Sequence, residues 1–311
     1  MPTISRRLLN AATCVTCWWL LCAGLHAAQS DETRREPEQK LRLAVIGASA
    51  SAGFGIVVEV EKESSSPKKE TDDFDTAQPP ETVKRMIRLV DLIDEADQED
   101  RLIELDLSSH MFFTRPFRYG RSSVDRTLSW KPDLVFAIDF LFWYVYGAQP
   151  EETRVQTLEK GLEELGRLAA TGVPIVIGTV PDLYGVDSFV LMEDQIPETD
   201  TVKESNRLIE EWAKKRENVA VVPIFELNRR LSDGGPIEIG PHTWHPKRDR
   251  IELIAPDKLH PTYEGLICLA QAIEVELKKL DTDGSMFPDL DLDQATLTTR
   301  MRIRRDVPVA P

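Results

Sequence analysis

Of the four cysteines in 311 residues, Cys14, Cys17 and Cys22 lie within the first 28, so only Cys268 remains beyond them. With that leader removed no internal disulfide can form, which excludes a fold stapled by cross-links. The CxxC spacing of Cys14-Val15-Thr16-Cys17 falls inside the leader and is incidental there. Basic charge is also short: 38 Lys and Arg face 53 Asp and Glu, a formal net charge of −15. A chain without a basic face cannot release counterions from phosphates, so nucleic acid is excluded as a partner and adsorption to anionic lipid is disfavoured. The acidity reads as solubility. No HExxH motif is present, and the acidic run Asp289, Asp291, Asp293 lacks the glycine turn and closing glutamate of an EF-hand loop. His242 and His245 could supply Zn²⁺ ligands with Asp249 or Asp257, but i, i+3 histidines in a Gly/Pro-rich loop need not converge. No metal and no organic cofactor is expected.

What the chain does have is 41% hydrophobic residues, enough for one substantial core. Arg6 and Arg7 precede an uncharged, largely apolar stretch over 8–25, and Ala27 and Ala28 follow. That order of positive, apolar and small residues is an export signal over 1–28, implying a periplasmic or extracellular protein. Asn10, Thr13 and Thr16 interrupt the apolar stretch, so no stable membrane insertion is expected after cleavage. Residues 29–40 read as a linker and 61–80, rich in Ser, Pro and charge, as an exposed insertion. Residues 281–311 read as a solvated tail ending in the basic cluster Arg300, Arg302, Arg304, Arg305.

Between 41 and 280, short apolar runs alternate with amphipathic stretches. The runs at 41–47, 102–107, 133–138, 175–178 and 219–224 have strand length and β-branched content. The spacing predicts helices from 81, over 151–170, over 201–216 and over 263–280, where apolar residues recur every three or four positions. Strands separated by helices of this length pair in parallel through right-handed crossovers, which gives a three-layer α/β sandwich. Its site should lie outside the carboxyl ends of the strands, where Ser49, Asp139 and Thr179 fall.

Two short stretches carry chemistry. Gly47-Ala48-Ser49-Ala50-Ser51-Ala52-Gly53 puts a serine in a small-residue turn at the end of the first strand, where its hydroxyl is exposed. Asp257-Lys258-Leu259-His260-Pro261 places a carboxylate three residues before a histidine. A serine hydroxyl needs such a base to lose its proton near neutral pH, and the base needs an orienting carboxylate. Alone, Ser49 reads as a tight-turn residue, and His260 with Asp257 as a helix start. His110 and Trp130 read as structural. Phe140, Phe142, Trp143, Tyr144 and Tyr146 read as helix-to-sheet packing, with a platform for a sugar ring or acyl chain as the alternative.

From 41 to 280 the chain resembles the SGNH, or GDSL-like, hydrolases. The first family block appears as Gly47-Ala48-Ser49-Ala50-Ser51-Ala52-Gly53 and the last as Asp257-Lys258-Leu259-His260. The second falls on Gly120, ahead of a helix, and the third on Ala137-Ile138-Asp139-Phe140. The resemblance implies a flavodoxin-like sandwich with a central parallel sheet and cleavage of carboxylic esters, of a small molecule, a glycan or a lipid. It implies Ser49 as nucleophile, His260 as base, Asp257 as its partner, and Gly120 with the third block around the oxyanion. Two positions depart from the pattern. Ala48 replaces an aspartate that supports the turn, and Asp139 stands where an asparagine donates to the oxyanion. Either Asp139 is kept protonated by Phe140 and Phe142, or another donor serves, or the enzyme is weak. An O-acyltransferase using the same acyl-enzyme and a non-catalytic binding module are the competing readings.

Overall fold

The computed structural model describes residues 40–62, 81–183, 186, 189–281, 284 and 286–304. The leader, most of the linker and insertion, and the last residues of the expected tail lie outside them.

Alternation within the apolar runs decides the layers. In β1 (Leu41–Val45), Leu43 and Val45 point into one buried cluster and Ala44 into another on the opposite face. An antiparallel pair follows, β2 (Val57–Glu61) with β3 (Thr82–Met86), then α1 (Leu89–Ala96) and β4 (Leu102–Asp106). Next come α2 (Pro116–Trp130), β5 (Leu134–Ala137), the single turn α3 (Phe142–Val145), α4 (Arg154–Ala169) and β6 (Ile175–Gly178). After α5 (Thr199–Lys214) and β7 (Val219–Val222) come α6 (Ile224–Asp233) and the small hairpin β8 (Ile237–Ile239) and β9 (His242–Trp244). The described chain ends with α7 (Pro246–Asp249), α8 (Tyr263–Leu277) and α9 (Gln294–Arg300).

The central sheet has the order β4-β1-β5-β6-β7 with every pairing parallel. Leu43, Phe136, Val176 and Val222 pack with α1, α8 and α9 on one face, while Ala44, Val135 and Ile177 pack with α2 to α5 on the other. This is a three-layer α/β/α sandwich, and its strands are buried on both faces as parallel sheets require. From β1 the chain passes outward to β4 and then returns to β5 on the other side. That reversal is the topological switch point, and a ligand crevice belongs at the carboxyl ends of β1 and β5. No helix among the described residues is long and apolar enough to cross a membrane.

Three expectations are corrected. The helix expected from residue 81 begins only at Leu89, because 82–86 pairs with β2 and the Arg88 N–H donates to the Asp91 side chain at the helix start. The run expected as a strand to residue 224 ends at Val222, and Ile224 opens α6. The stretch expected as solvated tail carries α9. Asp293 caps it by accepting from the Thr296 N–H at 2.8 Å, and Leu292, Leu297 and Met301 are buried against the α1 and α8 layer.

Candidate active site

The turn after β1 and the loop before α8 come together over the switch point. Ser49 Oγ lies 2.9 Å from His260 Nε2, and His260 Nδ1 lies 2.7 Å from Asp257 Oδ2. The loop that carries the pair is tied together by its own hydrogen bonds. Asp257 Oδ1 accepts the backbone N–H groups of Leu259 at 2.9 Å and His260 at 3.0 Å, which leaves Oδ2 aimed at the imidazole. Lys258 between them is held at φ 59°, and the Ala255 N–H donates to the His260 carbonyl. Thr262, not Asp257, caps α8, accepting from the Gly265 N–H at 3.0 Å. Burial raises the Asp257 pKa, but the hydrogen bonds from His260 and the two backbone donors outweigh it and hold the carboxyl below its ordinary range. His260 is buried, with the ring of Phe54 tilted over it at 4.7 Å between centroids.

Asp139 meets the serine turn from the sheet side. Its carboxyl accepts from the N–H of Ala48 at 2.9 Å, of Ala50 at 2.9 Å and of Ser51 at 3.2 Å, and from the Ser51 hydroxyl at 2.6 Å. In all four contacts Asp139 accepts, and none points a donor at an oxyanion. The expected oxyanion role is therefore replaced by another: Asp139 supports the turn, the task that Ala48 has no side chain to perform. Gly47 makes this possible, since a Cβ there would overlap Asp139 Oδ1. With Ala48, Ala50 and Ser51 committed to Asp139, the Ser49 N–H is left without a partner among the described residues. That makes it available as an oxyanion donor.

The structure does not bring Gly120 to the crevice. It sits inside α2, buried, where a Cβ would overlap the Tyr144 hydroxyl, so its smallness serves helix packing. Phe140, Trp143, Tyr144 and Tyr146 are buried in the same layer, and of the aromatic cluster only Phe142 reaches the crevice. Trp130 stacks under the Arg42 guanidinium at 4.5 Å, and His110 is exposed near Phe54. Arg248 chiefly, with a smaller effect of His245, holds the Asp249 carboxyl below its ordinary range. Hydrogen bonds from Thr296 chiefly, with a smaller effect of His242, do the same for Asp293, so the two histidines lie near different carboxylates. Among the described residues no three metal-ligating side chains are grouped to hold an ion. Sequence reasoning missed Phe54, Ser51 as a donor to Asp139, and the apolar stripe of α6. The stripe has a readable signal in the spacing of Ile224, Leu227 and Leu231.

No family model matches the chain, and no curated protein does. Among solved structures it is similar to Axe2, an acetylxylan esterase from Geobacillus stearothermophilus, at 16% identity and TM-score 0.46, over 78% of this chain and 94% of that one. It is also similar to LAE5, an alpha/beta hydrolase from the metagenome of Lake Arreo, at 18% identity and TM-score 0.45, over 78% and 97% of the two chains.

Proposed function

We propose that this chain is a serine-dependent carboxylic ester hydrolase working through Ser49, His260 and Asp257. The observation that carries the reading is the unbroken relay of 2.9 Å from Ser49 Oγ to His260 Nε2 and 2.7 Å from His260 Nδ1 to Asp257 Oδ2. In the first half-reaction Oγ attacks the ester carbonyl while Nε2 takes its proton. Asp257 fixes the tautomer and stabilises the imidazolium. The negative oxygen of the tetrahedral adduct is met by the Ser49 N–H. Collapse expels the alcohol, which leaves with the proton from His260, and an acyl-serine remains. Water then gives its proton to His260 and attacks the acyl carbon, releasing the acid and restoring the hydroxyl. The alcohol portion comes from a small molecule or a glycan. Export belongs to the same proposal, supported by the charge and hydropathy order of residues 1–28.

A fluorophosphonate should add to Ser49 and be located there by peptide mass spectrometry. Ser49→Ala should lose both the adduct and ester turnover while keeping its far-UV circular dichroism. Labelling that persists in Ser49→Ala refutes the assignment.

A further inference from the structure

Beside Ser49 opens a pocket with a cavity volume of about 130 Å³, which runs past the ends of β5 and β6 to α6 and α8. Its far wall is α6, whose outer side carries ion pairs of Glu226 with Arg229 and Arg230. The opposite stripe is Ile224, Leu227 and Leu231, at the spacing that marks a core-facing helix surface. No α6 residue is buried. The helix is nevertheless firmly placed. The Phe225 N–H donates to the Thr179 hydroxyl at 2.9 Å, and Gly178 lets Ile224 come so close that a Cβ would overlap it. Ile224, Leu227 and Leu231 are half-buried, packed in part against the core, and the rest of each side chain forms apolar pocket wall, which suits an apolar guest.

The rest of the lining agrees. Leu253, Leu269 and the buried Cys268 also line the pocket. Apart from Ser49 and His260, the polar side chains in the lining are Asp139, Thr179 and Asn228. The Asp139 oxygens are occupied by the serine turn, and the Thr179 hydroxyl by the α6 start. Nothing here resembles a sugar subsite, which needs several convergent donors and acceptors.

We propose that this pocket receives the acyl chain, and that the group cleaved is an apolar acyl group longer than acetyl, lying along Ile224, Leu227 and Leu231. The proposal rests on Ser49 as the nucleophile, since that places the acyl carbon at the pocket entrance. The alcohol side then faces solvent. Each methylene that enters the pocket should raise kcat/KM by about fourfold until the chain reaches the end.

The test compares p-nitrophenyl acetate, butyrate, octanoate and laurate. In the wild type kcat/KM should climb from acetate to octanoate, and Leu227→Trp should cut the octanoate-to-acetate ratio by at least about tenfold. Arg229→Ala, on the outer side of the same helix, should leave the ratio unchanged. A wild-type profile that is flat or peaks at acetate overturns the proposal, as does a Leu227→Trp ratio equal to the wild type. Calorimetric binding of octanamide and acetamide to Ser49→Ala keeps the judgement independent of turnover and of the Trp variant folding. Octanamide binding at least about tenfold tighter supports the pocket even if no ester is cleaved, and equal binding of the two amides removes it.

Discussion

Asp139 touches three backbone N–H groups and one hydroxyl of a turn that lies about ninety positions away in sequence. An amide of the same shape has one acceptor oxygen and would turn its NH₂ towards donors. Asp139→Asn therefore should not improve the oxyanion site but loosen the turn. Each hydrogen bond to a charged group is worth about 1.5–3 kcal/mol, so turnover and the rate of Ser49 labelling should fall together by about 10²-fold at every pH. A faster Asp139→Asn enzyme would show that the carboxylate harms the reaction. Asp257 makes the second prediction at this scale. Its folded pKa is depressed, so it contributes stability that is present above its unfolded value of about 4 and lost as pH falls through the folded one. Denaturant melts should show wild type more stable than Asp257→Asn at neutral pH, with the gap closing below about pH 4. A gap that stays constant into strong acid contradicts the linkage. Ser49, Asp257 and His260 were legible in the sequence because each motif is local and chemically constrained. The work of Asp139 was not, because it depends on which distant N–H groups the fold aims at that carboxyl.

Helix α2 shows how an element boundary can mislead about a residue. Read as preceding a helix, Gly120 looked like a backbone donor, but Pro116 already occupies the first turn and Gly120 lies inside. Its lack of a side chain is used by Tyr144. Gly120→Ala should cost about 1–3 kcal/mol through overpacking while turnover per labelled active site stays at the wild-type value. Thermal melts and fluorophosphonate titration separate the two effects, and a fall in turnover per labelled site would return Gly120 to the chemistry. The apolar strands were legible because parallel, doubly buried strands have few alternatives. Helix α9 was hidden by the alternating acidic residues before it, although Asp293 as a cap and Leu297 with Met301 on one face are ordinary helix signals. The β2–β3 pair was hidden because Val83 and Met86 happen to continue the helical spacing of α1.

At the scale of the molecule, the sheet divides the interior into two buried layers, and the crevice at its carboxyl edge reaches into the α8 layer. Cys268 sits at that boundary, the only cysteine among the described residues: it is buried on α8, yet it lines the apolar pocket beside Ser49. Burial pushes its thiol up to about 12, so little of the reactive thiolate is present at neutral pH. Iodoacetamide should therefore modify native protein slowly, and octanamide in the pocket should slow it further. A rate that octanamide does not change, but that low denaturant raises in step with the unfolding free energy, would show that the thiol is reached only when the fold opens. With no second thiol among the described residues to compete, the gain in mass reports on one position, and so on whether the space next to Ser49 is filled.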